Sequence, residues 1–327
     1  MKQSLIFVTL FFLCFNLAAQ SCGDVNHDGK IDIVDSLNIA RFYVKTVPED
    51  FVSQAADVNC DGSINIVDAL LTAQLYVGLL SDFGDCPSCG TEEKGVFLKK
   101  IFRNNSNESI PYRLFLPDPM LLSRKHPMVI HLHGMGQLGN DNESHLIDFP
   151  YYLSSAEGQG KYSPILVAPQ CPQNDSWSSF PNYPEASTPD FPTKPTRLVL
   201  DLIHHLMKIY PVDPARIYIM GLSLGGEGTF DIVTREPDLF AAAVPVCGIG
   251  DPQKADMMLT TAFWVFHGAL DDLNLVHYSR DVVEAMRALG GNPRYTEYPD
   301  SGHSIWNMAY NETELYPWMF SQIKGRK

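Results

Sequence analysis

Charge is scarce in this sequence, and positive charge is the scarcer kind. Of its 327 residues 19% are charged, and 24 Lys and Arg stand against 38 Asp and Glu, so the formal net charge is −14. A chain this acidic lacks the basic surface that proteins use to bind nucleic acid or an anionic membrane. Hydrophobic residues nevertheless make up 45% of the sequence, which excludes a wholly disordered chain.

Long hydrophobic runs are also missing, apart from one at the amino terminus. Leu5–Phe15 is an apolar run of 11 residues, whereas a membrane span takes about 20. A lysine precedes the run and small residues follow it at positions 19–21, which is typical of a secretory signal peptide over residues 1–21. We therefore expect an extracellular mature protein. The alternative is a lipoprotein anchored through Cys22.

Cysteine is sparse too, with seven in the chain, of which Cys14 would leave with the signal peptide. The remainder permit disulfides in an exported protein without specifying their pairing. Cys86 and Cys89 are separated by two residues in a segment rich in Pro, Ser and Gly, outside any strand or helix pattern. That setting favours a structural clasp over a redox motif.

The negative charge is concentrated in residues 23–90, which hold 3 Lys and Arg against 11 Asp and Glu. An internal repeat lies within this segment. Residues 24–44 and 57–77 are identical at 13 of 21 positions, and each copy begins with Asp-x-Asn-x-Asp-Gly. Such loops bind Ca²⁺ through oxygen ligands at positions 1, 3, 5, 7, 9 and 12. The repeat therefore predicts two calcium loops rather than two solvated acidic turns.

Each loop has oxygen-bearing residues at these positions and a glycine, Gly29 or Gly62, at position 6, where the chain turns. Apolar residues at helical spacing follow each loop, so a helix should leave it. Cys22 stands too close to the first loop for a helix to enter. The predicted ligands are Asp24, Asn26, Asp28, the Lys30 carbonyl, Asp32 and Asp35 in the first loop, and Asp57, Asn59, Asp61, the Ser63 carbonyl, Asn65 and Asp68 in the second.

A duplicated calcium loop with only an exiting helix resembles the type I dockerin, a module that docks cellulosomal enzymes onto cohesin domains of a scaffold. The resemblance covers residues 22–86 and implies two structural Ca²⁺ ions and a cohesin partner. In that family the pair before the last ligand helps to bind the cohesin. Both copies here carry the same apolar pair, Ile33-Val34 and Ile66-Val67, which implies binding in two orientations. The alternative is a calcium-stiffened spacer without a partner.

A segment of turn composition at residues 87–95 separates the repeat from a second domain at residues 96–327. Apolar runs alternate there with helical patterns, which predicts an α/β fold with a mainly parallel sheet covered on both faces. The predicted strands are 111–116, 127–133, 164–169, 215–221, 241–247, 262–267 and 294–298, and the main predicted helices are 196–210, 224–236, 277–290 and 313–324.

The motif Gly221-Leu222-Ser223-Leu224-Gly225 directly follows a predicted strand and precedes a predicted helix. This setting is that of a nucleophile elbow, in which a serine projects from a strained turn. The flanking glycines let the strand and the helix approach each other. A plain glycine-rich turn is the alternative. Ser223 is thus the predicted nucleophile.

A serine nucleophile needs a base, and the base needs an orienting carboxylate. In the chain order Ser, acid, His, both partners should follow strands of the second half. We predict Asp271 as the acid, in preference to Asp272, and His303 as the base. His267 precedes the acid and is interpreted as a structural donor.

An oxyanion hole needs two backbone N–H groups aimed at the oxygen that gains charge. One is expected from Leu224, the residue after the nucleophile. The other is expected from Met135, in the loop after the predicted strand 127–133, with His133 bracing that loop.

Residues 96–327 resemble α/β-hydrolases of the esterase group that includes polyhydroxybutyrate-depolymerase-like, feruloyl and acetylxylan esterases and a subgroup labelled predicted peptidase. The stretches HLHGMGQLGNDN, IYIMGLSLGGEGTF and PDSGHSIW are among those that carry the resemblance. It implies the α/β-hydrolase fold and the triad Ser223, Asp271 and His303, and it does not specify the substrate. Leu270-Asp271-Asp272 departs from the family's pattern, in which a polar residue and Asp-Pro are more common.

Together the two resemblances imply a secreted serine esterase, held on a cellulosome by its dockerin, that removes acetyl or feruloyl groups from plant cell-wall polysaccharide. Trp177 and Trp306 are candidates for the substrate pocket, and core packing is the alternative for both. Two other functions remain open: a serine peptidase with the same triad, and a cohesin-binding protein with an inactive hydrolase domain. No catalytic cofactor is expected.

Overall fold

The structure, a computed structural model, forms two compact units with the division between Glu92 and Glu93. That division falls in the predicted linker, 87–95, which lies outside the described residues, as does the expected signal peptide. The described residues are 22–26, 28–46, 48, 51, 55–59, 63–83, 97–117, 124–178 and 191–325.

The amino-terminal unit contains two helices of 11 residues, α1 (Ile33–Tyr43) and α2 (Ile66–Tyr76), one after each predicted calcium loop. The helices pack against each other, and the Ser36 hydroxyl donates a hydrogen bond of 2.6 Å to the Ala69 carbonyl. A core this small buries little apolar surface, so the loops must supply much of the unit's order. Its buried hydrophobic cluster, within the described residues, consists of Val25, Ile39, Ala55, Ala56 and Ala69.

The carboxy-terminal unit is built around an eight-stranded sheet. Its strands are β1 (Phe97–Arg103), β2 (Ser109–Phe115), β3 (His126–Leu132), β4 (Ile165–Pro169), β5 (Val212–Leu222), β6 (Ala242–Val246), β7 (Ala262–Gly268) and β8 (Arg294–Tyr298). Their order across the sheet is β1-β2-β4-β3-β5-β6-β7-β8. β2 is antiparallel to both β1 and β4, and every other pair is parallel.

Helices cover both faces of this sheet. They are α3 (Ala156–Tyr162), α4 (Lys194–Ile209), α5 (Leu224–Arg235), α6 (His277–Ala288), α7 (Trp306–Tyr310) and α8 (Leu315–Ser321). Leu202, Phe230 and Val283 of α4, α5 and α6 belong to one buried cluster, whereas Tyr310 and Met319 of α7 and α8 belong to the other. Because both faces are covered, every residue of β3 and β4 is buried.

The parallel sheet between layers of helices agrees with the sequence prediction, and all seven predicted strands are present. The prediction missed β1, because FLKKIFR lies at the edge of the sheet and is mostly half-exposed or exposed, so its apolar residues show no clear period. The last predicted helix, 313–324, is shorter than expected, since α8 covers Leu315–Ser321. Among the described residues, no helix combines the length and the apolar character needed to cross a bilayer.

Four strands bring the predicted site residues to one edge of the sheet. β3, β5, β7 and β8 run in the same direction, so the residues after their carboxyl ends lie at the same edge. Met135 follows β3, Ser223 follows β5, Asp271 follows β7 and His303 follows β8.

Candidate active site and calcium loops

Ser223 occupies a strained turn between β5 and α5. Its φ of 52° and ψ of −119° lie outside the regions that residues with a side chain normally adopt. The turn is anchored from the neighbouring strand, because the Ser223 N–H donates a hydrogen bond of 2.8 Å to the Val246 carbonyl. The sequence motif therefore forms the sharp elbow that was predicted.

The glycines on either side of Ser223 are required by close backbone contacts. A Cβ added to Gly221 would lie 2.3 Å from the Gly225 carbonyl oxygen, and one added to Gly225 would lie 2.0 Å from the Leu132 carbonyl oxygen. Both distances are far below van der Waals contact. Only glycine at these positions lets α5 begin directly beside β3 and β5.

Gly225→Ala is therefore expected to destabilise this unit by about 3 kcal/mol or more, because backbone atoms cannot move aside as a flexible side chain can. Chemical denaturation followed by tryptophan fluorescence measures the change. Gly160→Ala is the matched control, since its added Cβ meets nothing within 4 Å and alanine favours the helix. Equal stability of the two variants would contradict this account of the elbow.

Ser223, His303 and Asp271 form a continuous hydrogen-bonded chain. His303 Nε2 lies 2.8 Å from Ser223 Oγ, and His303 Nδ1 lies 2.7 Å from Asp271 Oδ2. Asp271 is buried, whereas its neighbour Asp272 is exposed. The structure thus brings together the three side chains singled out in the sequence, with Asp271 rather than Asp272 against the histidine.

Asp271 is held by four donors. Its Oδ1 accepts backbone N–H bonds of 2.9 Å from both Leu273 and Asn274, and its Oδ2 lies 3.2 Å from His267 Nε2 as well as near His303. Burial by itself would raise the pKa of Asp271, but the hydrogen bonds from His267 and His303 outweigh it and hold that pKa well below its usual range. The carboxylate is therefore ionised at every pH at which His303 can act as a base.

His267 is the structural donor that the sequence predicted. Its ring is completely buried, with Nδ1 2.7 Å from the Ser279 hydroxyl and Nε2 2.7 Å from the Asn274 carbonyl. These bonds orient the ring toward Asp271 and away from the cleft. The backbone donors of Leu273 and Asn274 were missed, because no sequence signal marks a loop N–H that points at a carboxylate.

The two predicted oxyanion donors each begin a helical turn. Leu224 is the first residue of α5, and Met135 is the first of a short 3-10 turn, Met135–Gln137. The first N–H groups of a helix have no intrahelical acceptor, so both are available to a ligand. Both residues line the cleft that contains Ser223 and His303.

His133 braces the loop before Met135. Its Nε2 accepts the Cys171 N–H at 2.9 Å, which leaves Nδ1 to donate to the Gly134 carbonyl at 2.7 Å. Burial lowers the pKa of His133 to about 4, so the ring is neutral near pH 7 and keeps this tautomer. His133 therefore acts as a fixed strut, as the sequence analysis expected.

The cleft above Ser223 has a volume of about 510 Å³. Trp306 forms part of its wall, with its ring edge-on to His303 at 6.0 Å between centroids. Asp148, which the sequence analysis did not single out, accepts hydrogen bonds from Trp306 Nε1 at 3.1 Å and from Gln137 Nε2 at 2.7 Å. This one carboxylate therefore orients two residues of the wall.

Trp177, the other candidate for the pocket wall, lies elsewhere. Its side chain is completely buried, its Nε1 donates a hydrogen bond of 3.0 Å to the His133 carbonyl, and its ring packs edge-on against the His133 ring. A Cβ on Gly228 would lie 2.4 Å from Trp177 Cβ, so the residue is wedged between α5 and the loop after β3. The pocket assignment is corrected: Trp177 supports that loop from behind.

Glu227 is a cleft residue that the sequence analysis missed. It lies in the first turn of α5, where it accepts a hydrogen bond of 3.0 Å from the Ser178 hydroxyl and a long one of 3.4 Å from Asn274 Nδ2. Burial raises the pKa of Glu227 to about 7, although both hydrogen bonds act to lower it. The sequence does contain a signal for Glu227. It stands four positions after Ser223, and residues four apart lie on the same face of a helix.

In the amino-terminal unit, the first calcium loop turns its oxygen atoms toward one another. The Asp28 N–H donates to Asp24 Oδ1 and to Asn26 Oδ1, both at 3.1 Å, so these two oxygens lie close together. Asp35 is completely buried, and burial raises its pKa, with the charge of Asp24 adding to the rise. Gly29 has a φ of 83°, as expected at position 6. A set of crowded, hard oxygen donors fits a divalent cation such as Ca²⁺.

The second loop repeats this arrangement where it is described. Asp68 Oδ1 accepts the N–H groups of Val58 and Asn59 at 3.0 and 3.3 Å, as Asp35 Oδ1 accepts those of Val25 and Asn26. The predicted ligand Asp61 lies outside the described residues, as does Gly62, whereas Asp57 and Ser63 are described. The two loops therefore share one design.

The residues at position 9 also cap the helices that follow. Asp32 Oδ1 accepts the Val34 N–H at 2.7 Å, and Asn65 Oδ1 accepts the Val67 N–H at 2.8 Å. The Asn65 amide nitrogen donates to the Ser63 carbonyl at 3.0 Å. The side-chain oxygens of Asp32 and Asn65 already accept these helix-capping bonds. The two residues therefore suit coordination of Ca²⁺ through a bridging water, as is common at position 9.

The apolar pairs of the two repeats are exposed. Ile33 and Val34 expose 53% and 46% of their surface, and Ile66 and Val67 expose 54% and 46%. Together with Leu37 and Leu70 they line a groove between α1 and α2. The near-equal exposure follows from the sequence repeat.

Comparison with known families gives matches in both units. Residues 22–74 match the model of the dockerin type I domain. Residues 193–264, which contain the elbow around Ser223, match the model of the prolyl oligopeptidase family. The first match confirms the resemblance of the repeat to type I dockerins.

Two curated relatives match parts of the chain. Poly(3-hydroxyalkanoate) depolymerase C of Paucimonas lemoignei is 30% identical over 73 residues, which are 22% of this chain and 17% of that protein. Bifunctional acetylxylan esterase/xylanase XynS20E of Neocallimastix patriciarum is 26% identical over 155 residues, which are 47% of this chain and 21% of that protein. The chain thus spans only a small share of either relative's length.

A solved structure of a thermostable esterase is 36% identical, with a TM-score of 0.64, and the match covers 70% of this chain and 63% of that one. The eight-stranded, mostly parallel sheet with helices on both faces fits the α/β-hydrolase fold. The chain therefore joins a module similar to type I dockerins to a domain of the α/β-hydrolase fold that is similar to esterases.

Proposed function

We propose that this protein is a secreted serine esterase that removes acetyl or feruloyl groups from plant cell-wall polysaccharide. The observation that carries the proposal is the hydrogen-bonded chain from Asp271 through His303 to Ser223 at the floor of an open cleft. A serine so arranged can attack an ester carbonyl because its proton has somewhere to go.

In the proposed mechanism Ser223 Oγ attacks the ester carbonyl while His303 Nε2 takes its proton. Asp271 holds the imidazole with Nδ1 protonated and stabilises the imidazolium that forms. The N–H groups of Leu224 and Met135 stabilise the oxyanion of the tetrahedral intermediate. His303 then protonates the departing alcohol, and water activated by the same histidine releases the acid from Ser223.

The choice of polysaccharide esters rests on both units of the chain. One relative is named as an acetylxylan esterase joined to a xylanase, and the amino-terminal module is similar to dockerins. A docking module would hold the enzyme beside other enzymes on an insoluble substrate. Residues 1–21, if they form a signal peptide, would place it outside the cell.

Covalent labelling and a substrate profile test this proposal. A fluorophosphonate probe should label the wild-type protein once, at Ser223, as located by peptide mass spectrometry. Hydrolysis of p-nitrophenyl acetate, acetylated xylo-oligosaccharides and methyl ferulate then identifies the acyl group. Labelling elsewhere, or an absence of ester cleavage, would refute the proposed esterase.

The match to the prolyl oligopeptidase family supports a second candidate, a serine peptidase with the same triad. Acyl transfer from an amide uses the same nucleophile and base, so the two functions differ in the substrate that the cleft accepts. A panel of peptide substrates assayed beside the esters separates them. Cleavage of peptides at a higher kcat/KM than any ester would favour the peptidase.

For the amino-terminal unit we propose two structural Ca²⁺ ions and a cohesin partner. The ligands of the first ion would be those of the first loop, Asp24 through Asp35, and those of the second ion would be the equivalent residues Asp57 through Asp68. The ions supply charge neutralisation that orders the loops. The exposed pairs Ile33-Val34 and Ile66-Val67 would meet the cohesin. A cohesin-binding protein with an inactive hydrolase domain would retain this binding without ester cleavage.

Chelation of calcium is expected to unfold the amino-terminal unit and to leave small-ester hydrolysis unchanged, because the triad belongs to the other unit. Calcium at about 1,000 times its Kd would stabilise that unit by roughly 4 kcal/mol. Calorimetry in calcium and in EDTA should show two unfolding transitions. The melting temperature of the amino-terminal unit should fall in EDTA, and that of the carboxy-terminal unit should not change. Asp35→Ala should weaken the response, whereas Asp82→Ala, outside the loops, should not. A thermogram unaffected by EDTA would contradict the proposal.

A further inference from the structure

The Glu227 carboxyl lines the cleft beside the triad and has no part in the mechanism above. Its helix places it there, since α5 begins at Leu224, directly after Ser223, and the Glu227 N–H donates to the Ser223 carbonyl at 3.0 Å. The carboxyl is thus rigidly related to the nucleophile by one helical turn. A group held in this way lines the same cleft as Ser223 in a fixed position.

The two oxygens of Glu227 are engaged unequally. Oε2 accepts the Ser178 hydroxyl at 3.0 Å. Among the described residues, Oε1 has only the long contact of 3.4 Å with Asn274 Nδ2, whose shorter bond of 2.7 Å goes to the Cys247 carbonyl. One oxygen is therefore anchored, and the other retains most of its hydrogen-bonding capacity.

No lysine or arginine among the described residues forms an ion pair with Glu227. A buried carboxylate without a cation is costly, so the proton is retained to higher pH. The raised pKa of about 7 agrees with this environment. Near neutral pH Glu227 therefore exists both as a carboxylate and as a carboxylic acid. Either form can accept a hydrogen bond, and the acid can also donate one.

We propose that Glu227 binds a free hydroxyl of the sugar that carries the scissile ester, and so selects carbohydrate esters over other esters of the same acid. This inference rests on the proposed function. A hydroxyl both donates and accepts, so it complements the carboxyl in either protonation state. Trp306, in the same cleft, offers an apolar ring of the kind on which a sugar packs.

The test combines two variants with two substrates that share the acetyl group. Glu227→Ala should lower kcat/KM for a methyl xyloside monoacetate with a neighbouring hydroxyl by about tenfold, the effect of one lost hydrogen bond. The same variant should stay within about twofold of wild type on p-nitrophenyl acetate, which has no such hydroxyl. Glu227→Gln should retain most of the sugar-ester activity, because an amide also accepts and donates.

A deoxy substrate makes the test specific to this contact. The monoacetate without the neighbouring hydroxyl should be about tenfold poorer than its parent for the wild-type enzyme, and equal to its parent for Glu227→Ala. Glu284→Ala, an exposed residue on α6, is the control and should change neither ratio. If Glu227→Ala does not fold, Glu227→Gln and the deoxy substrate with wild type still provide the comparison.

Three results would overturn the inference. Equal losses on both esters would assign Glu227 a structural role only. Equal losses for Glu227→Gln and Glu227→Ala on the sugar ester would mean that the negative charge is needed, as for a substrate ammonium group. Cleavage of p-nitrophenyl acetate without cleavage of any sugar ester would remove the carbohydrate substrate but leave the serine chemistry intact. Failure of the proposed serine-esterase activity itself is distinguishable, because wild type would then cleave neither ester.

Discussion

Replacing Ser223 with alanine is expected to lower kcat for ester hydrolysis by roughly 10⁴- to 10⁶-fold. The hydroxyl is the atom that forms the acyl-enzyme, and no other hydroxyl lies against His303 Nε2 within the described residues. The oxyanion donors and the cleft would remain, so substrate should still bind. Steady-state kinetics on p-nitrophenyl acetate, with rates corrected for buffer hydrolysis, measures the loss.

The stability of the Ser223→Ala protein is the control for this variant. Alanine must adopt the same φ of 52°, so the free energy of unfolding should change little, and denaturation curves of the two proteins should overlap. Retention of substantial activity in a folded Ser223→Ala protein would mean that the nucleophile is another group. Loss of both folding and activity would not count in favour of the serine. The site of fluorophosphonate labelling in the wild-type protein would then identify the nucleophile.

Asp271→Asn is expected to lower kcat/KM by about 10⁴-fold near neutral pH. The reason is visible in the four donors around this side chain, since Oδ1 faces two backbone N–H groups and Oδ2 faces two imidazoles. An amide has one acceptor oxygen, so its NH₂ group must face one of these pairs of donors. With the NH₂ toward the imidazoles, His303 Nδ1 has no acceptor and takes the wrong tautomer. With the NH₂ toward Leu273 and Asn274, it opposes two backbone N–H donors, and a neutral oxygen replaces the carboxylate that stabilises the imidazolium.

Asp272→Asn provides the matched comparison, because it makes the same chemical change one residue away on an exposed side chain. Its kcat/KM should stay within about twofold of wild type. The pair of variants is measured on one substrate across pH, together with melting temperatures. An equal effect of the two substitutions, or a larger effect of Asp272→Asn, would show that the carboxylate has been assigned wrongly.

The dockerin-like repeat, the elbow and the parallel sheet could be predicted because each depends on residues that are close in sequence. The repeat aligns oxygen donors at fixed spacing, and Gly221 and Gly225 flank Ser223 within five residues. Chain order then indicated His303 and an acid at Asp271 or Asp272, with Asp271 preferred. The edge strand β1 was missed because strands at an edge bury few residues, so Phe97–Arg103 shows little periodicity.

Other parts of the site depend on contacts between distant segments, and these were missed or misplaced. Trp177 was predicted as an aromatic residue of the pocket wall. Its side chain is instead buried in the core, where it packs against Gly228 of α5. Asp148 was not noticed, although it orients Gln137 and Trp306 from 11 and 158 residues away. No local pattern marks such partners, since their spacing is set only by how the loops meet.

By itself the amino-acid sequence determined which chemistry is available to this protein: a serine in a turn that only glycine-flanked backbone allows, an acid and a base in order, and two oxygen-rich loops. Those features are local, because they arise from steric limits and ligand spacing along a few residues. Only the tertiary structure decided that Asp271 rather than Asp272 faces the base, that Trp177 is buried, and that Glu227 lines the same cleft as the nucleophile. Side-chain direction after a strand depends on the packing of neighbouring loops, which the chain acquires only on folding.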